Sequence, residues 1–150
     1  MLKDLLIEDN IQFEEVIDDW KDAIAKSAEP LLLNGSVTKD YIEAMVKNIE
    51  KLGPYVIVGN EVAIPHARPE NGVNQLGMSI LKLNKPVHLL DNQANQVKIF
   101  ICLAAIDNQT HLKALAQLTK LLSNPVKLGI LKEARTKQDI LNLVAEYSAL

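Results

Sequence analysis

The spacing of hydrophobic positions changes twice along this chain, dividing it into a helical start, a stranded middle and a helical end. Trp20, Ala23, Ile24 and Leu31 recur at helical intervals behind Asp18 and Asp19, either of which can cap a helix there. Pro30 is expected to kink or end that helix, because proline lacks an N–H and crowds the turn before it. Asn34-Gly35-Ser36 reads as the stop. A second helix is predicted from Thr38 to about Lys51 on Tyr41, Met45 and Ile49, with Gly53-Pro54 ending it. Three short β-rich runs follow, at Tyr55–Val58, Val62–Ile64 and Gly77–Leu83. Val97–Ile106 is β-branched and almost continuously apolar, the pattern of a strand buried on both faces at the centre of a sheet.

Helical spacing then returns. Leu112, Leu115, Leu118, Thr119 and Leu122 form a stripe that stops at Asn124-Pro125, and a short helix around Val126–Leu131 is expected after it. Thr136-Lys137-Gln138-Asp139 resembles a capping box and opens a last helix carrying Ile140, Leu143, Val144 and Tyr147. The fold class that results is α/β, a three-layer sandwich with a mixed central β-sheet flanked by helices. Strand order does not follow from these patterns.

With 150 residues and no linker, repeat or low-complexity stretch, one domain over 1–150 is expected. Hydrophobic residues at 48% against 23% charged argue for a packed core over disorder. A net charge of −3 with no Lys/Arg cluster excludes the electrostatic footprint of a nucleic-acid binder. The acidic residues Glu8, Asp9, Glu14 and Glu15 break any secretory apolar region, and no apolar run is long enough to span a bilayer. Cys102, the single cysteine, rules out an internal disulfide framework and suits a reducing compartment. The expectation is therefore a cytoplasmic protein without membrane insertion.

The chemistry concentrates on histidines. His66 stands in Ile64-Pro65-His66-Ala67-Arg68-Pro69, just past a short strand, and the flanking prolines stiffen its loop. A positioned imidazole is a competent nucleophile near neutral pH, and its phosphoramidate is suited to passing a phosphoryl group on. The bland alternative is a loop histidine with no task. His111 ends Asp107-Asn108-Gln109-Thr110-His111 at a predicted helix start, where free N–H groups and the helix dipole favour an anion. It is otherwise a histidine that merely tolerates the first turn. Arg68 could fork onto phosphoryl oxygens or pair with Glu70. His88 reads as a solvated strand-edge residue, while Cys102 and Ser79 read as packed residues of strands. No phosphate loop, paired-cysteine metal spacing or His-Glu-x-x-His motif occurs.

At these residues the chain resembles the enzyme IIA proteins of the mannitol–fructose superfamily of the bacterial sugar phosphotransferase system. The matching features are Ile64-Pro65-His66 and, in the right order, Ala104-Ala105-Ile106-Asp107 with His111. Gly53-Pro54-Tyr55, Arg68-Pro69-Glu70-x-Gly72-Val73 and Asp107-x-x-Thr110-His111 look most like the ascorbate-specific branch. Ala67 stands where some relatives carry glycine. The resemblance implies a phosphotransferase with a phosphohistidine intermediate. In it the histidine phosphocarrier protein donates to His66, a cysteine of the cognate enzyme IIB receives, and membrane enzyme IIC is served indirectly. It implies His66, His111 and Arg68 as the catalytic set, with no metal or cofactor. A nitrogen-type regulatory enzyme IIA is the alternative inside the family. A two-histidine metal module and an interaction domain with idle histidines are the alternatives outside it.

Overall fold

The structure, a computed structural model, describes residues 1–147. Five strands form one mixed sheet in the order β1-β4-β5-β3-β2. They are β1 (Ile11–Glu14), β2 (Ile57–Gly59), β3 (Val62–Ala63), β4 (Gly77–His88) and β5 (Gln96–Ala104). β4 and β5 are antiparallel, whereas β1 runs parallel to β4 and β3 parallel to β5. β5 lies at the centre, as its unbroken apolar run requires.

Strand alternation divides the core between two helical layers. Phe100, Cys102 and Ala104 of β5, with Leu81 and Leu83 of β4, face α2 (Trp20–Leu33) and α3 (Lys39–Leu52). Ile99, Ile101 and Leu103, with Met78 and Ile80, face α1 (Leu2–Leu5), α4 (Asn108–Leu122), α5 (Pro125–Glu133) and α6 (Lys137–Val144). The three-layer α/β sandwich is thus the observed architecture. Among the capping residues, Asp19 accepts from Lys21 N–H at 2.9 Å, and Thr136 with Asp139 closes the expected capping box on α6.

The differences from expectation have identifiable physical causes. α2 is not ended by Pro30 but runs to Leu33, with the expected stop at Asn34. The ring denies Lys26 its helical donor, and Gln12 Nε2 of β1 replaces it, donating to the Lys26 carbonyl at 2.7 Å. β1 itself was not visible in the sequence, since its Ile-Gln-Phe-Glu is short and bordered by acids. β4 extends five residues beyond Leu83 to His88, which is half-buried opposite Gln96. Tyr147 is past the end of α6, although it still packs against that helical layer. Ser79 is packed as expected, its hydroxyl donating to the Ser27 carbonyl of α2.

The chain after β3 rounds a tight turn at Pro69–Asn71 and leaves it through Gly72, whose φ of 133° disfavours any side chain. A Cβ there would run into Thr38 Oγ1 and come within 3.1 Å of Tyr41 N. Gly72→Ala is expected to cost about 1–3 kcal/mol, measured as a fall in the urea midpoint at constant slope.

Candidate functional site

His66 and His111 meet because of the sheet topology. β3 and β5 are adjacent and parallel, so the loop after β3 and the helix after β5 leave the sheet at the same end. Crevices at the carboxyl ends of neighbouring parallel strands are where open α/β sheets bind ligands. The two imidazoles stand 5.0 Å apart between ring centroids, tilted by 55°. They open onto a shallow depression shared with Asn48, Leu52, Tyr55, Arg68 and Asn108.

The His66 ring has a fixed tautomer. Its Nδ1 is 2.8 Å from the Ile64 carbonyl oxygen, and a carbonyl can only accept, so the proton resides on Nδ1. Nε2 is left with its lone pair. The main chain around it is equally restrained: Leu103 N–H of β5 donates to the Pro65 carbonyl at 3.0 Å. The Tyr55 ring stands edge-on to the imidazole, 5.4 Å between centroids at 87°.

His111 sits in the first turn of α4, its backbone N–H donating to the Asp107 carbonyl. The Asp107 side chain caps the helix, accepting from Thr110 N–H at 2.7 Å, and that bond holds its carboxyl below the usual range. A fixed negative charge therefore already occupies part of the helix N-terminus, so anion stabilisation here falls mainly to side chains. Burial first, and the neighbouring His66 second, lower the pKa of His111, which favours its neutral form with one N–H to donate. Unfolded His111 then binds more protons than folded His111 just below pH 6.5, so stability is lost as pH falls through that window. His111→Gln is expected to flatten the melting temperature against pH between about pH 7 and 5.

Arg68 is exposed at the edge of the depression. The alternative pairing with Glu70 does not form, since no Arg68 ion pair occurs among the described residues. Cys102 is buried beside Met45, and burial pushes its thiol up to about 12, which removes it as a nucleophile. His88 lies at the opposite end of the sheet, since Gly77, not His88, is paired with Ala104. Among the described residues no three His, Cys, Asp or Glu side chains gather to hold a metal ion, and no helix is long and apolar enough to cross a membrane.

Tyr41, Asn48, Leu52 and Tyr55 belong to the site's surroundings but were not singled out from sequence. Tyr41 read as a core position and Tyr55 as the start of a strand. The available signal was the Gly53-Pro54 break, which ends α3 and turns Tyr55 toward His66. Leu52, 66% exposed where it lines this depression, and Leu112, equally exposed and next to His111 in the chain, contribute apolar surface.

Known proteins resemble this chain in both sequence and fold. The chain is 31% identical over 150 residues to the ascorbate-specific PTS system EIIA component of Salmonella typhimurium, covering 99% of this chain and 97% of the other. Its fold overlays the solution structure of the mannitol-specific cryptic phosphotransferase enzyme IIA of Escherichia coli with a TM-score of 0.89 at 32% identity, covering 97% and 98% of the two chains. The fold is also that of Escherichia coli enzyme IIA mannitol, solved in complex with phosphorylated enzyme IIB mannitol, at TM-score 0.77 and 24% identity over 92% and 95% of the chains. Residues 4–147 match the family described as "Phosphoenolpyruvate-dependent sugar phosphotransferase system, EIIA 2". Two histidines brought together by neighbouring parallel strands thus belong to a chain that is a member of this family of phosphoryl-carrying EIIA components.

Proposed function

We propose that this chain carries a phosphoryl group on His66 Nε2, taking it from the histidine phosphocarrier protein and giving it to a cysteine of a cognate enzyme IIB. The observation that carries the reading is the Nδ1–H···O bond to Ile64, which leaves Nε2 as the free nitrogen beside His111. The Nε2 lone pair attacks phosphorus in line as the N–P bond of the donor phosphohistidine breaks, and the donor imidazole keeps that bonding pair. His66 then bears the phosphoryl group on Nε2 and the proton on Nδ1, so its ring is cationic. The Ile64 carbonyl accepts from that N–H and stabilises the charge.

His111, as a neutral donor, offers an N–H to a phosphoryl oxygen, and Arg68 reaches another from the rim. In the second step a cysteine thiolate of enzyme IIB attacks phosphorus and His66 Nε2 leaves with its electron pair. The exposed apolar surface at Leu52 and Leu112 suits partners that must dock and depart in turn. No metal or cofactor enters this route.

The proposed setting is a cytoplasmic unit serving a membrane enzyme IIC. Ascorbate or a related solute is the inferred cargo, on the ascorbate specificity of the Salmonella relative and the Gly53-Pro54-Tyr55 and Arg68-Pro69-Glu70 features. The test is incubation with phosphoenolpyruvate, enzyme I and the phosphocarrier protein, followed by mass measurement and then addition of cognate IIB and IIC membranes. One phosphoryl mass should appear and pass to IIB, and sustained drainage, read as pyruvate released from phosphoenolpyruvate, should occur only when the right solute is supplied. A chain that gains no mass would sink the carrier reading, and drainage by mannitol but not ascorbate would overturn the cargo.

A further inference from the structure

The peptide group joining His66 to Ala67 is gripped at both of its polar ends by tyrosine hydroxyls from outside the loop. On the solvent side Tyr55 donates its O–H to the His66 carbonyl at 2.9 Å. On the core side Ala67 N–H donates to the Tyr41 oxygen at 3.0 Å. Tyr41 donates its own O–H to the Leu103 carbonyl at 2.6 Å, while the amide of the same Leu103 holds Pro65. Tyr41 is fully buried in α3, and Tyr55 is partly exposed in the turn that follows that helix.

We propose that Tyr41 and Tyr55 are positioning residues that together clamp the His66–Ala67 peptide and thereby hold His66 Nε2 in line for transfer. This rests on the reading of His66 as the acceptor. A peptide group is a rigid plane. With its carbonyl and its N–H both held, rotation of the chain about His66 ψ and Ala67 φ stops, and the direction of the His66 Cα–Cβ bond is set. The Nδ1 bond to Ile64 then sets the ring on that fixed bond. Tyr41 also acts as a spacer, because its oxygen is inserted between Ala67 N–H and the Leu103 carbonyl, where neighbouring parallel strands would pair directly. The gap between the His66 loop and the end of β5 is therefore set by one hydroxyl, and His111 follows from that end of β5.

A purely structural role predicts something different. The His66 carbonyl lies beside solvent, so water can replace the Tyr55 hydroxyl at little cost in stability. A clamp, by contrast, shows in the rate, because misplacing a reacting atom slows transfer while leaving docking alone.

The experiment compares Tyr55→Phe, Tyr41→Phe and the double variant by rapid-quench transfer from the phosphorylated phosphocarrier protein across donor concentration. Tyr55→Phe should keep its melting temperature and its half-saturating donor concentration within about two-fold, while the limiting rate falls roughly three- to ten-fold. Nitrogen-15 spectra of the unphosphorylated His66 ring should show the Nδ1–H tautomer giving way to a mixture. The double variant should lose little more than the worse single one, because either loss frees the same plane.

A folded Tyr55→Phe with a limiting rate within two-fold of wild type overturns the clamp, and so do losses that multiply. Should Tyr41→Phe fail to fold, Tyr55→Phe decides alone through its rate and ring spectrum. Mapping the phosphorylated peptide of the wild type separates the two readings. A phosphoryl group found elsewhere than His66 removes the acceptor assignment. A phosphoryl group on His66 with an unaffected Tyr55→Phe removes only the clamp.

Discussion

His66→Ala is expected to abolish phosphoryl acceptance while leaving a folded protein. The imidazole is half-buried at the rim of a shallow depression and makes one hydrogen bond, to the Ile64 carbonyl two residues back. Losing that bond and a little packing costs about 1 kcal/mol, a small part of a domain's stability. The loop does not depend on the ring, because the backbone of Pro65 and Ala67 is held by Leu103 and Tyr41. On the proposed reading His66 is the nucleophile, and its loss is different in kind. His111 is then no replacement acceptor, since burial and its position in the first turn of α4 suit it to donate across the cleft. Mass measurement after incubation with phosphoenolpyruvate, enzyme I and the phosphocarrier protein checks this. A variant with a native melting curve that still gained one phosphoryl mass would show that His66 is not the acceptor.

His111→Ala should retain the acceptor and slow the transfer. On the proposed reading the lost contact is a hydrogen bond to a charged phosphoryl oxygen, worth about 1.5–3 kcal/mol. That corresponds to roughly ten- to a hundred-fold in rate. Asp107 makes the dependence on this side chain stronger, because its carboxylate already takes up Thr110 N–H at the start of α4. The helix end is thereby a poorer anion site than an uncapped one, and little is left to substitute for the imidazole. Stopped-flow transfer at saturating phosphocarrier protein reads the effect directly. Rates within about two-fold of wild type would mean that the 5.0 Å approach of the two rings has no part in the transfer.

Much of this was legible along the chain because the relevant forces are local. Period-3.6 stripes at Tyr41, Met45 and Ile49 and at Leu115, Leu118 and Leu122 are stripes because one side of a helix must leave water, and α3 and α4 appear where those stripes lie. Of the positions expected in the second stripe, Leu112 and Thr119 are exposed, and Ala114 and Leu121 are buried instead. Thr136 and Asp139 begin α6 through bonds between residues three apart. The continuous apolar run of β5 announced a strand covered on both faces. His66 stood out because its prolines restrict the backbone wherever the loop is placed.

What remained hidden was set by partners far apart in sequence. α2 passes through Pro30 because Gln12 supplies a donor to the carbonyl that proline orphans, and β1 exists as a strand because β4 is there to pair with it. That His66 and His111 face each other follows from β3 lying parallel beside β5, a pairing no stretch of residues encodes by itself. The same holds for Tyr41 and Tyr55: from sequence alone the first is a core position and the second a strand start. Their hydroxyls acquire a shared target only when α3 and the turn after it pack over the end of the sheet. Propensity, capping and loop stiffness act within a few residues, so the sequence by itself determined most of the elements, β1 and the short α1 excepted, and the candidate nucleophile. The approach of one imidazole to another and the hold on the peptide beside it depend on side chains 11 to 62 positions apart, and only the packed fold decides those.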